Sequence, residues 1–469
     1  MVSKDRKTSP FWMSRSQKAA LTYIIPLIGG LWLFILFFFK NELNPLGDET
    51  GYHRRGVLLA NSISEGSFFA DVFNTDLFKY PGYSALAGFV YYVFGEFPLL
   101  LRALGFIPFF VLAVVVANMA TLIAGERARI FAFLTALLSP VLFFFSLQLY
   151  RDIYIACAVS IVLHAIVAYA ITEKQLKSNV TPALLLAFAV LYFMRTPQFW
   201  LMLVLAVPSL LVIKALSFSR QKKIVVIVAS FSLITISVII FREDLMQLIS
   251  QTFFEDTESV ITTTQLSALS GYSFSSAEEI LSALLDLKFI LITIVAKLTM
   301  FFLGPHPFAR SGAGQDIMTL FNGFEQNDWG GYQWIDVLLV YGLQWIQNIS
   351  LLGFLLAGLM GLWSFNRKVF LVFAGFYAAY AIITIFSGNE TRWGLPIYIL
   401  YCIIPALGYS WFGKRLRLIF PVLTLLFIGI IIVRWFGVFV PMIVVPVLIF
   451  GLLYLTRILD HKQIARISR

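Results

Sequence analysis

The residues best suited to chemistry in this chain lie in the stretch NELNPLGDETGYHRR, positions 41–55. Asp48 and Glu49 form an acidic pair, and His53, Arg54 and Arg55 follow at once. A carboxylate next to a low-dielectric surface is a candidate general base, alone or helped by its neighbour or a metal. Cationic groups recur elsewhere at short polar breaks between apolar runs: Arg151 in Tyr150-Arg151-Asp152, Arg195 in FMRTPQFW, and Arg392 in GNETRWGLP. Guanidinium binds phosphate bidentately, so arginines gathered on one face would suit an anionic headgroup. Lys79 and Tyr80, in KYPGY, open another apolar stretch and would add a cation and a phenol. His306 and Arg310, in the Pro-Gly-rich turn GPHPFARSGAG, are weaker candidates. Plainer readings stay open at each place. The acidic pair would also serve as a solvated turn, Arg151 as the structural partner of Asp152, the tyrosines as interfacial anchors, and a lone arginine as a snorkelling side chain.

Whether these groups meet depends on the membrane. The chain has 469 residues, 59% hydrophobic and 13% charged, with a mean hydropathy of +0.86. Soluble domains carry roughly 25% charged residues, so the composition predicts an all-α polytopic membrane protein. Apolar runs of spanning length fall at 19–39, 103–124, 129–148, 153–172, 180–194, 197–213, 224–241, 335–363, 369–386, 395–412, 418–434 and 438–457. That predicts about twelve transmembrane helices. The stretches 82–94 and 289–304 read as surface-lying or re-entrant helices on the outer face.

Lys and Arg accumulate in short cytoplasmic loops. With both termini cytoplasmic, the inner segments collect most of the 35 basic residues, opposed only by Asp5, Glu126, Glu173 and Asp460. The chain then divides into a basic cytoplasmic tail (1–18), a transmembrane module (19–241) containing the first outer loop (40–102), a second long outer loop (242–335), and C-terminal transmembrane helices with a short cytoplasmic tail (336–469). Long loops tend to carry function, so the chemistry is expected to face outward. Cys157 and Cys402 both lie in apolar runs and read as core residues. The four histidines are too dispersed for a zinc site. The net charge of +10 is explained by the topological bias, and no basic soluble domain suggests nucleic acid as a partner.

Four features together resemble the GT-C superfamily of integral-membrane glycosyltransferases, in the branch of protein mannosyltransferases and aminoarabinose lipid A transferases. They are Asp48-Glu49 early in the first outer loop; Lys79-Tyr80-Pro81-Gly82, followed by FGEFPLLLRALG; LLSPVLFFFSLQLYRD; and TRWGLPIYIL. The likeness is best over 19–172, and the chain has Pro81-Gly82 where the family often has a proline pair. The resemblance implies a GT-C-like fold with juxtamembrane helices in the two long outer loops. It implies inverting transfer of a sugar from a polyprenyl-phosphate donor to a glycan, lipid or protein acceptor. Asp48, with Glu49, would be the base. Arg151, Arg195 or Arg392, with Lys79, would hold the donor phosphate. His53, Arg54, Tyr80, Asp152, His306 and Arg310 would support the site. No cofactor is required by this reading, although some relatives use a divalent metal, magnesium or manganese, for which Asp48, Glu49 and Asp152 offer hard oxygen ligands. The implied location is a bacterial inner membrane, with the site facing the periplasm or exterior. Two alternatives stay open: a surface polysaccharide (O-antigen-type) polymerase or ligase, and a lipid-linked glycan transporter or flippase.

Overall fold

The computed structural model describes residues 15–39, 48–72, 81–172, 180–216, 343–385 and 395–416. The expected spans at 224–241, 418–434 and 438–457, the stretch 289–304 and the loop 242–335 lie outside the described residues. All described elements are helices, with no strand among them. Three are long and apolar enough to cross a membrane: Pro98–Ala124, Asp152–Thr172 and Leu395–Phe412. The bent pair Glu126–Leu137 and Pro140–Ser146 counts as a fourth if it forms one span.

Helix α1 (Arg15–Phe39) leads, after residues outside the described set, to α2 (Asp48–Glu65) and the short α3 (Phe68–Val72). Helix α4 (Pro81–Phe94) lies against α2. The two approach closely because each contributes a glycine: a Cβ on Gly56 would stand 2.8 Å from that of Ala87, and one on Gly88 would stand 2.6 Å from that of Leu59. With 14 residues, α4 is ~21 Å long, short of a bilayer core of ~30 Å. That fits the expectation of a helix that does not span.

Helices α5 (Pro98–Leu104) and α6 (Phe106–Ala124) together form the first of the three apolar segments. The first loop was expected to run to Arg102; helix instead begins at Pro98, and Arg102 lies one turn inside it. The reason is local: proline is favoured in a helix's first turn, and PLLLRAL has no breaker after it. Helix α7 (Glu126–Leu137) returns alongside α6 and gives way to α8 (Pro140–Ser146) with a 54° bend. The run at 129–148, expected as one span, is therefore broken. Pro140 has no N–H and pushes the preceding residue out of the helical region, and Ser139 is accordingly extended at φ −70°, ψ 110°.

Helix α9 (Asp152–Thr172) is more enclosed than the Pro98–Ala124 segment. The runs expected as 180–194 and 197–213 are two helical halves, together labelled α10 (Val180–Leu216), that meet at the non-helical residue Arg195. The break comes two positions before Pro197, a residue type that disrupts the preceding helical turn. The kink is sharp. The ring of Phe199 lies 5.4 Å from that of Tyr192 and 5.8 Å from that of Phe188, whereas a straight helix would place ~16 Å of axial rise between Phe188 and Phe199.

Beyond the undescribed segment come α11 (Gln344–Phe365) and α12 (Arg367–Ile385). A 3₁₀ turn (Leu395–Ile397) then leads into α13 (Tyr398–Leu416). Helices α11 and α13 pack closely through Gly358, Gly361 and Gly408, where added Cβ atoms would strike Ile404, Trp411 and Phe354 respectively.

The bundle has two distinct ends. At one, α5, the α8–α9 turn, the α10 kink and the 3₁₀ turn come together. At the other, the Ser410 hydroxyl of α13 donates to the Ala124 carbonyl at the end of α6 (3.1 Å), beside the turn that carries Arg127 and Arg129. Replacing Gly408 with Ala should destabilise the protein by about 1–3 kcal/mol, because the new methyl must enter the space of the Phe354 carbonyl. Thermal unfolding in detergent will measure this; an unchanged midpoint would mean that the two helices are not packed at Gly408.

Candidate functional site

The site is built around Glu49. Asp48 and Glu49 occupy the first turn of α2, where carboxylates favour helix initiation by facing the positive end of the helix dipole. Glu49 is 0% exposed and accepts hydrogen bonds from the Arg102 guanidinium and from the Leu149 N–H, the latter at 2.9 Å. Arg102 is itself only 1% exposed. A charge pair this deep is costly to desolvate, and removing either partner alone leaves an uncompensated buried charge. Three separate segments (α2, α5 and the α8–α9 turn) therefore meet on one carboxylate.

One helical turn beyond, on the same side as Asp48, Tyr52 is buried and packs edge-to-face on Tyr83 of α4 at 5.1 Å. Tyr83 in turn meets Tyr154 of α9 at 5.8 Å. The Arg151 guanidinium lies 5.8 Å from the centre of the Tyr52 ring and donates to the Met194 carbonyl at 3.0 Å, at the kink of α10. Asp152, 2% exposed at the start of α9, pairs with Arg195 at the kink itself, at 3.3 Å. Of the three arginines at this end, Arg102 and Arg195 are buried and Arg151 is half-buried.

His53 sits one turn after Glu49 and bridges α2 to α4. Its Nε2 lies 2.9 Å from the Glu96 carboxylate and its Nδ1 lies 3.0 Å from the Tyr91 hydroxyl. Nε2–H is placed to donate to Glu96, and the Tyr91 hydroxyl can serve Nδ1 as donor or acceptor. Burial, with a smaller contribution from the Glu96 charge, pushes the Tyr91 phenol well above its ordinary range, so it stays protonated and able to donate. Burial also holds the Tyr83 phenol neutral. Arg54 is exposed on the opposite side of α2.

Of the residues expected to form the site, the structure thus brings Glu49, His53, Arg151, Asp152 and Arg195 to one end of the bundle, with the backbone of Asp48 adjoining. Lys79, Tyr80, His306, Arg310 and Arg392, and the side chain of Asp48, lie outside the described residues. Among the described residues, no three His, Cys, Asp or Glu side chains stand close enough to share a metal ion.

Sequence reasoning missed Arg102, which carries half of the central ion pair. Its signal was an arginine among leucines in PLLLRAL, since a charge inside an apolar helix usually has a specific partner. Tyr91 and Glu96, which hold His53, gave no comparable signal. Nor did Gln198, which accepts a 2.7 Å hydrogen bond from Tyr380 next to the Arg195 kink.

No family model, no curated protein and no solved structure matches this chain.

Arg102→Met should cost about 3–5 kcal/mol by stranding the buried Glu49 carboxylate. Adding Glu49→Gln to that variant should recover much of the loss, because the amide keeps the Leu149 contact without a charge. Thermal melts of the wild type, both single variants and the double variant will measure the coupling; additive losses would show that the two side chains do not act as a pair.

Proposed function

We propose that this chain is an integral-membrane glycosyltransferase of the GT-C type. In this reading it moves a sugar from a polyprenyl-phosphate donor to an acceptor hydroxyl at the outer membrane face, with inversion. The observation that carries the proposal is the clamp on Glu49, since it fixes the start of α2, and so Asp48, beside the turn that bears Arg151. In this reading the Asp48 carboxylate is the base and Arg151 the phosphate-binding cation.

The chemistry follows from that pairing. The acceptor oxygen attacks the anomeric carbon while its proton passes to the Asp48 carboxylate. The bond from the anomeric carbon to the phosphate oxygen breaks, and the lipid phosphate leaves with the bonding electrons. Arg151, the most accessible of the three arginines at this end, stabilises the charge that develops on the leaving phosphate. Lys79 and Arg392 complete the phosphate site in this reading, and Arg195, held by Asp152, adds its charge beside it. Glu49 is a positioning residue, because its oxygens are engaged by Arg102 and Leu149. Asp152 likewise positions Arg195. His53, Arg54, Tyr80, His306 and Arg310 support the acceptor side. No step is routed through a metal; of the carboxylates that would ligate magnesium or manganese, Glu49 and Asp152 are already paired with buried arginines.

The topology belongs to the same proposal: about twelve spans, cytoplasmic termini, and a bacterial inner membrane with the site facing the periplasm. It is supported by the basic residues Arg127 and Arg129, whose turn lies at the bundle end opposite Glu49.

The test is release of polyprenyl phosphate by purified protein given a panel of polyprenyl-phosphate sugars. Asp48→Asn should lower release by ~100-fold or more while leaving insertion and melting intact. Arg151→Lys should weaken donor binding, because an ammonium cannot pair bidentately. Full activity in both Asp48→Asn and Asp48→Ala would end the assignment. Transfer only from a repeat-unit diphospholipid would favour a polymerase or ligase instead.

A further inference from the structure

The break between α7 and α8 exposes backbone groups inside an apolar bundle, and a distant side chain answers them. Pro140 starts α8, so Val141 contributes one of the first-turn N–H groups that have no partner within the helix. That N–H donates to Oε1 of Gln344 at 3.0 Å, and so does the Ser139 hydroxyl, at 3.0 Å. Gln344 is 1% exposed and stands at the head of α11, some 200 positions along the chain.

The orientation of the amide is fixed by chemistry. Val141 N–H can only donate, so the oxygen of Gln344 must face it. Nε2 of Gln344 then donates to Oδ1 of Asn348 and to Oε1 of Gln347, each at 2.9 Å. Nε2 of Gln347 donates in turn to the Thr135 carbonyl, on the α7 side of the break, at 3.1 Å. The head of α11 therefore grips both sides of the bend.

Helix α8 is only seven residues long, about two turns, so its direction sets the position of the turn that follows. That turn contains the Leu149 N–H that binds Glu49, and then Arg151 and Asp152. The far end of α8 is pinned as well: the Ser146 hydroxyl accepts from the Trp32 indole of α1 at 2.8 Å and donates to the Phe143 carbonyl at 2.6 Å.

We infer that Gln344 is a positioning residue, whose amide caps the α7–α8 break and thereby aims the Leu149–Asp152 turn at Glu49. The inference rests on the transferase reading only for what the turn does; the coupling itself is structural. It also joins the segment that follows the long second loop to the candidate site.

Hydrogen exchange on the full-length protein in lipid nanodiscs tests this without any substrate. Gln344→Met keeps the volume and removes both hydrogen-bonding ends. Exchange should become ~10-fold faster or more both around Val141 and around Leu149, the equivalent of about one lost hydrogen bond at each place. Gln344→Glu keeps the accepting oxygen and, in the neutral form that so buried a site favours, one donor for Asn348 or Gln347, and should restore most of the protection at both. The transfer rate should follow the same order, falling in Gln344→Met and recovering in Gln344→Glu, while general destabilisation would not be relieved by the carboxyl. Faster exchange around Val141 with unchanged exchange around Leu149 would overturn the inference, leaving Gln344 as a local cap. Should Gln344→Met fail to insert, Ser139→Ala removes one of the two donors to Oε1 and reads the same two regions; no change around Leu149 again overturns it. A wild-type protein inactive on every donor would end the transferase reading, and the exchange result would still decide the positioning role.

Discussion

The end of the bundle that carries the candidate site depends on one buried ion pair. Glu49 and Arg102 are almost wholly shielded from water, where the effective dielectric is low and an uncompensated charge is severely penalised. The pair is viable because the geometry is completed: Glu49 takes the Leu149 N–H on its other oxygen. The same condition explains how the segment after α1, which lies outside the first membrane-long run, is docked firmly on the bundle. Helix α2 is polar over much of its length and has few apolar residues to bury. Its anchor is electrostatic at the first turn, then aromatic at Tyr52 and steric at Gly56.

A second regularity links the helix breaks. Within an apolar environment, each backbone group released by a break must find another partner. Three such groups have one here, and each partner is a polar side chain from another element. The Leu149 N–H is taken by Glu49, the Val141 N–H by Gln344, and the Met194 carbonyl by Arg151. Proline accounts for two of the breaks, at Pro140 and upstream of Pro197. Irregular backbone and polar side chains are therefore found together for one physical reason, and two of the three breaks, at Leu149 and Met194, lie at the end of the candidate base and arginines.

Much of the architecture was legible in the sequence because hydropathy and length are local properties. The boundaries of α1, α9, α12 and α13 follow the apolar runs closely. What was not legible depended on pairing at long range. Arg102 looked like the last polar residue of a loop because nothing nearby in sequence showed that Glu49 would meet it. Arg195 was legible as the break between two helices, but neither the tightness of that break, one extended residue, nor the pairing with Asp152 was. The single run at 129–148 hid a bend whose cap comes from Gln344, far along the chain. The Tyr150-Arg151-Asp152 turn was read correctly as a place where charge sits at the end of a helix. Its partners, Met194 and Arg195, come from α10.

Partner choice among the arginines has a consequence for how the site would work. Arg102 and Arg195 are each held by a buried carboxylate, and neither is well exposed. Drawing either one onto another anion would weaken its pairing with Glu49 or Asp152, which is costly in a buried site. Arg151 is half-buried and donates to the Met194 carbonyl, a neutral acceptor that holds a guanidinium less strongly than a phosphate does. The two buried pairs thus shape the electrostatic surroundings of the half-buried Arg151 guanidinium. A ligand phosphate arriving there would release the Met194 carbonyl at the α10 kink, which ties anion binding to the one point where that helix departs from regular geometry.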